Sequence, residues 1–226
     1  MRAPRGGRIR SLTVDWLGTV AYGDALKLQE RAVEARRAGE TGDRLLLLEH
    51  PPVVTLGRAA KPEHLRVPRG ELARRGVEVF EVARGGDVTW HGPGQLVGYP
   101  IVDLAARGRP DVHAFLRLVE AALADALGEL GVAAETHAGF TGVFVAGSRP
   151  WRKIASIGIG VRGWISWHGF ALDVDCDLAG FAAIVPCGLH GIEMTSVARE
   201  LGAAAPPDLM GRARAALGRS FVARLR

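Results

Sequence analysis

The chain has 226 residues, 48% of them apolar and 23% charged, the balance of a soluble globular protein able to build a full core. That composition excludes fibrous and disordered proteins, and no apolar run approaches the length of a membrane-spanning helix. The formal charge of +5 and the pI near 9.8 admit a nucleic-acid partner, but the arginines spread along the chain and crowd only at its two ends, with no recognition helix, RNA-binding aromatic motif or zinc-finger spacing beside them.

The basic start, Arg2 to Arg10, is followed by no apolar stretch, so it does not read as a secretory signal; residues 1–10 are expected to form a disordered extension of one domain spanning 1–226. Gly23 to Ala38 reads as a helix, with Ala25, Leu28, Ala32 and Ala35 at helical spacing and Gly39 to end it. Arg44 to Glu49 and Val53 to Leu56 read as strands about the turn His50-Pro51-Pro52. Glu71 to Arg75 is one helical turn before a strand at Val77 to Val82. A Gly-rich segment, Arg84 to Gly98, then leads into a strand at Tyr99 to Leu104. Val112 to Leu130 is the clearest amphipathic helix: Phe115, Leu116, Val119, Leu123, Leu127 and Leu130 form one stripe, Asp111 is the N-cap and Gly131 the stop. Strands follow at Val143 to Val145, Ile154 to Val161, Gly163 to Trp167 and Phe170 to Val174. Helices close the chain at Thr195 to Leu201 and Pro207 to Val222. Strands and helices mix without strict alternation, which predicts an α+β fold, a mixed sheet with helices packed on one side.

Four glycines and a proline in the twelve residues from Arg84 to Gln95 demand a loop or a tight strand-loop-strand. Arg, Thr, His and Gln there supply donors to a ligand, although a plain Gly-rich hairpin has the same composition. There is no G-K-[ST], and the glycines do not open a helix, so neither ATP nor NAD binding is supported. Two cysteines are too few for a disulfide framework and suit a reducing cytoplasm. Cys187 lies between Pro186 and Gly188, in a turn where the Gly188 N–H is open to an oxyanion. Cys176 has Asp175 and Asp177 on either side, which suppress a thiolate, so Cys187 is the better nucleophile. Only Lys27, Lys61 and Lys153 are lysine, and Lys153 enters an apolar strand, where desolvation favours the neutral amine that takes a thiol proton. A snorkelling edge lysine is the structural alternative, and His91 and His168 are rival bases. The scattered histidines and lack of a cysteine pair at zinc spacing argue against a metal site.

Five segments together resemble the lipoyl(octanoyl) transferases, the octanoyl-[acyl-carrier-protein]:protein N-octanoyltransferases. They are LLLLEHPPVVTLG from Leu45, RGGDVTWHGPGQLVGYPIVDL from Arg84, KIASIG from Lys153, HGFAL from His168 and PCG from Pro186, within a match from about Tyr22 to Leu201. The resemblance implies a biotin/lipoate protein ligase-like catalytic domain, a Cys/Lys dyad and an acyl-thioester intermediate. Cys187 matches the family's acyl-carrying cysteine and Lys153 the lysine that lowers its pKa. Arg84, Gly85, Gly86, Asp87, Val88, Thr89, Trp90 and His91 match the substrate-binding loop, and Ser156, Ile157, Gly158, His168, Gly169 and Phe170 two further substrate segments. The chain departs from the pattern at Trp90, where a tyrosine is more familiar, a change of size in an aromatic slot, and at His137 to Gly142, which lacks an arginine near Phe140 and so bears on acyl-pocket or partner contacts. The implied donor is octanoyl-acyl carrier protein, and the implied acceptors are lipoyl domains of 2-oxoacid dehydrogenases and the glycine cleavage H protein. No cofactor, metal, nucleic acid or membrane is implied, and a cytoplasmic monomer is the default. An ATP-dependent lipoate or biotin ligase on the same fold, a cysteine hydrolase using His91 or His168, and a basic nucleic-acid-binding protein are the alternatives.

Overall fold

The computed structural model describes residues 11–186 and 191–226. The expectations for residues 1–10, for Cys187 and for the Gly188 N–H therefore lie outside the described residues. Among the described residues no helix is long and apolar enough to cross a membrane.

The main sheet runs in the order β1 (Leu12–Thr19), β2 (Asp43–Glu49), β6 (Gln95–Ile101), β10 (Ile165–Asp173), β9 (Arg152–Arg162), β8 (Val143–Val145) and β7 (Ala134–Glu135), and β11 (Glu193–Met194) joins β9. β1 on β2 and β11 on β9 are parallel and the other pairings antiparallel, so the sheet is mixed, as expected. A second sheet has β3 (Val53–Leu56) between β4 (Glu78–Glu81) and β5 (Val88–His91). The Gly-rich segment is the strand-loop-strand alternative: β5 ends in the small sheet, and after Gly92-Pro93-Gly94 the chain enters the main sheet as β6.

The helices are α1 (Tyr22–Ala38), α2 (Arg69–Arg74), α3 (Val112–Glu129), α4 (Val197–Leu201) and α5 (Leu209–Arg224). They do not all lie on one side. Leu45 and Leu47 of β2 face a core shared with α3 and α5, while Leu46 and Leu48 face a second core containing Ala25, Ala32 and Val33 of α1. A strand reading Leu-Leu-Leu-Leu has no polar face to offer water, so both faces of the sheet must be covered. Asp111 caps α3 as expected, its carboxylate accepting from the His113 and Ala114 N–H groups. Phe115, Val119, Leu123 and Leu127 then sit in the core, each worth about 1.5–3 kcal/mol when fully buried.

Two readings of strands are corrected. β1 was not expected; its alternation of Leu12, Val14 and Trp16 with polar residues is short, and Val14 and Trp16 remain partly exposed at the sheet edge. The strands expected at Gly163 to Trp167 and Phe170 to Val174 are one strand, β10, in unbroken register with β9 from Ile165 to Leu172. Gly169 does not interrupt it: it pairs with Gly158 of β9, and from Phe170 onward β6 pairs the other edge of the strand. Phe170 stands opposite Gly98 of β6, where a Cβ would lie 2.2 Å from Phe170 Cζ. The ring stacks on Phe221 of α5, with centroids 5.5 Å apart. Gly98→Ala is therefore expected to force the ring from its place and destabilise the fold by roughly 1–3 kcal/mol. The urea midpoint reads this directly, and an unchanged midpoint would show that the ring has room to yield.

Candidate active site

Three of the motif segments converge where the two sheets meet. Arg84, Gly86, Asp87, Val88, Thr89 and His91, then Lys153, Ser156, Ile157 and Gly158 of β9, then His168, Gly169 and Phe170 of β10 all line one cavity of about 230 Å³. Tyr22, Val97, Tyr99 and Ala171 complete its wall together with Gly139, Phe140 and Thr141. Ile157, Val97 and Phe170 give it an apolar side, while Arg84, Lys153 and the histidines give it a polar one.

Two residues of the expected substrate loop do not line this cavity. Gly85 spends its N–H on Ile159 O at 3.0 Å and accepts from Arg84 Nη1 through its carbonyl. Trp90 points into the small-sheet core, against Phe181 with ring centroids 5.4 Å apart. Glycine accommodates the indole on two sides: a Cβ at Gly92 or Gly180 would lie 2.3 or 2.2 Å from the ring. The departure from tyrosine at Trp90 is thus taken up in the packing of the small sheet.

Arg84 is nearly buried, and β3 holds its guanidinium: Nη2 donates to Thr55 O and Oγ1, each at 2.9 Å, and Nε donates to Oγ1 at 3.3 Å. The loop comes this close because Gly57 and Gly158 have no side chain. A Cβ at Gly57 would lie 2.3 Å from Gly86 O, and one at Gly158 would lie 2.8 Å from Gly85 O. Asp87 ties the loop to another segment, its Oδ2 standing 2.7 Å from His64 Nδ1. His64 O in turn accepts the Val185 N–H at 2.8 Å.

Three histidines at the site are neutral. Burial is the main cause, pushing His50 down to about 4 and both His91 and His168 down to about 3. Hydrogen bonds assign two of the tautomers. His50 donates from Nδ1 to Val20 O at 2.6 Å and accepts at Nε2 from the Tyr99 hydroxyl at 2.7 Å. Gln95 donates from Nε2 to Asp173 Oδ1 and Trp90 O, so its Oε1 is the acceptor for His91 Nδ1–H at 2.7 Å. Burial also pushes the Tyr22 hydroxyl up to about 12. His168 adopts φ 53 within β10, and neither ring nitrogen has a hydrogen-bond partner among the described residues. Its backbone N–H donates to Gln29 Oε1 of α1 at 2.8 Å.

Lys153 is 1% exposed. Its Nζ donates to Thr141 O at 3.0 Å and lies 5.7 Å from the Phe144 ring centroid. It is therefore a buried cavity-wall lysine, not a snorkelling one. Cys176 packs in the small-sheet core, its thiol 3.4 Å from Asp173 Oδ1. Burial first, then Asp173, then Asp175 raise that thiol far above the ordinary range, which leaves it a poor nucleophile. Sequence reasoning named the flanking carboxylates; the larger causes, burial and Asp173, come from the fold. Asp177 is occupied elsewhere, capping the 3-10 turn at Leu178–Ala183. Sequence reasoning also missed Tyr22, Thr55, Tyr99 and Asp173, which carry no local signal and are recruited by strand pairing.

Residues 21–217 match the model of the lipoyl protein ligase A/B catalytic domain. The chain is 50% identical over 188 residues to an octanoyltransferase of Geobacter sulfurreducens, covering 83% of this chain and 75% of that protein. It is 46% identical over 215 residues to an octanoyltransferase of Myxococcus xanthus, covering 94% of this chain but 59% of the longer relative. Its fold is similar to that of an archaeal bipartite lipoate protein ligase from Thermoplasma acidophilum, with a TM-score of 0.70 at 16% identity, over 95% of this chain and 84% of that one.

Proposed function

Because the chain belongs to the octanoyltransferase family and is an acyltransferase, we propose that it moves an octanoyl group from octanoyl-acyl carrier protein, through a thioester on Cys187, to a lysine ε-amine of a lipoyl domain. The observation that carries this reading is the buried Lys153 on the wall of a cavity whose other side is apolar. That arrangement suits a proton-transfer group beside an aliphatic chain, where each buried methylene adds about 0.8 kcal/mol. The His64 contacts support the reading too, since they tie the Arg84 to His91 loop to Val185, just before Pro186-Cys187. On the other side, Met194 pairs with Lys153 where β11 meets β9.

In the first half-reaction Lys153 takes the Cys187 thiol proton, and the thiolate attacks the donor's carbonyl carbon. A new C–S bond forms, the old one breaks, and the carrier's thiolate leaves with the proton from Lys153. In the second, the acceptor amine attacks the enzyme thioester and loses a proton to Lys153. The C–N bond forms, the C–S bond breaks, and Cys187 leaves as a thiol. The Gly188 N–H and donors of the Gly-rich loop stabilise the oxyanion in both. Exchange of one thioester for another is close to neutral and amide formation runs downhill, so neither half needs ATP. His91 and His168, neutral at physiological pH, serve better as hydrogen-bonding wall residues than as bases. The proposed setting is the cytoplasm, with a monomer acting.

Intact-protein mass after mixing with octanoyl-acyl carrier protein, without ATP and beside a Cys187→Ser control, tests this. The expected result is a hydroxylamine-labile octanoyl adduct on the unsubstituted protein alone, discharged by added lipoyl domain. No adduct, but a lipoyl domain modified when ATP and free octanoate are supplied, would place the chain with the ligases and make Cys187 a structural thiol. An adduct that releases octanoate without an amine would indicate a hydrolase.

A further inference from the structure

We propose that Glu120 of α3 is a positioning residue for Lys153, acting through the peptide group that joins Thr141 and Gly142. The carbonyl of Thr141 and the N–H of Gly142 are two ends of one planar unit. At one end Lys153 Nζ donates to Thr141 O at 3.0 Å. At the other, the Gly142 N–H donates to Glu120 Oε1 at 3.1 Å. Because the unit is rigid, fixing its N–H fixes the direction of its carbonyl, and with it the place of the lysine Nζ.

Glu120 is otherwise hard to account for. It is 1% exposed, on the apolar face of α3 between Val119 and Leu123, where an aliphatic side chain would pack at no electrostatic penalty. Its second oxygen lies 2.6 Å from Nη1 of Arg117, one turn earlier and half exposed, which balances the buried charge. A line of contacts thus runs from the surface through Arg117, Glu120 and the peptide to Lys153. The carboxylate also polarises the peptide it holds, strengthening the carbonyl as an acceptor. Gly142 is fitted to this role. It has φ 129, and a Cβ there would lie 2.6 Å from both Lys153 Cε and Ala155 O. Any other residue would drive the peptide away from the lysine.

The inference rests on the assignment of Lys153 as the proton-transfer group, so its test has two independent readouts. The variants are Glu120→Gln, which keeps an acceptor oxygen, and Glu120→Met, which keeps the shape without one. Selective ¹³C-lysine labelling yields three Cε signals, for Lys27, Lys61 and Lys153, with the last assigned by Lys153→Arg. Glu120→Met is expected to move the Lys153 signal and to slow single-turnover acyl-enzyme formation by about 10- to 100-fold, the loss of a hydrogen bond to a charged group. The donor KM stays within about twofold, and Glu120→Gln restores most of the rate and the native signal. If Glu120→Met does not fold, Glu120→Ala, which admits water, carries the same expectation. A folded Glu120→Met or Glu120→Ala with native signal and rate overturns the inference, as does a Glu120→Gln that falls as far as Glu120→Met. Should Lys153→Met keep its full rate, the assigned role of Lys153 fails, while the displaced signal still reports whether Glu120 holds the lysine.

Discussion

Lys153→Met should lower the rate of acyl-enzyme formation by roughly two to four orders of magnitude, the usual worth of a positioned acid–base group. The substitution keeps an unbranched side chain as far as Cε, with sulfur in place of one methylene, and removes the terminal amine. Packing against Phe144 is retained, while Thr141 O loses its donor. The donor's KM should stay near its native value, because the apolar wall from Ile157 and Phe170 and the Arg84 loop are unchanged. Lys153→Arg should not rescue the rate. The lysine Cε already approaches within 2.6 Å of where a Cβ at Gly142 would stand, so the larger guanidinium cannot take the same position. A small primary amine added to Lys153→Met has room to enter the vacated space and should recover part of the lost rate. Single-turnover mass measurements decide the matter: a Lys153→Met rate within a few-fold of native would remove Lys153 from the mechanism and return the role of base to another group.

How far the sequence foretold this arrangement depended on whether the signal was local. The amphipathic stripe from Phe115 to Leu127 and the Asp111 cap needed only helical spacing, and both stand as read. The turns of the Gly-rich segment were equally local, since four glycines leave few alternatives. The second face of the sheet was also legible in Leu45 to Leu48, where an unbroken apolar strand excludes a wet face, but the expectation of one-sided helices overlooked it. Gly169 looks like a break of β10 in one dimension, and only the continuous register with β9 shows that it is not. Residues that act by touching distant segments were out of reach. Thr55 looks like any strand threonine until Arg84 is folded onto it. Glu120 looks like one more charge on a helix until Gly142 arrives from the next strand connection. The resemblance to a known family brought the cavity-lining segments together by motif. It also brought in Trp90 and Gly85, whose neighbours in the fold turn them away from the cavity.

Asp173→Asn should make the protein more stable at pH 8 than at pH 4, relative to the native chain. Asp173 is 1% exposed at the end of β10, and burial pushes its carboxyl up to about 7, although Gln95 and the Cys176 thiol both donate to Oδ1. In the unfolded chain the same group titrates at 3.8. Below that value both states hold the proton and the site is neutral with respect to folding. Between pH 3.8 and about 7 the unfolded chain has lost the proton and the folded one keeps it, so stability falls as pH rises; above about 7 the penalty is complete. At about 1.4 kcal/mol per pH unit across this window, the buried carboxyl costs about 4 kcal/mol at neutral pH. The histidines act in the opposite sense. His50, His91 and His168 are held below their ordinary value, so the stability they contribute is present above pH 6.5 and is lost as pH falls toward 3 to 4. The native chain alone therefore shows two opposed slopes that partly cancel, and its own pH profile does not isolate the aspartate. Asparagine keeps an oxygen for Gln95 and never ionises, so the difference between the two proteins leaves the histidine contribution out. Urea denaturation of both at pH 4, 6 and 8 should give a gap that widens up to pH 7 and then stays level. A gap independent of pH would mean that Asp173 ionises in the folded protein as readily as in the unfolded one, with Gln95 and its other neighbours holding the charge that burial resists.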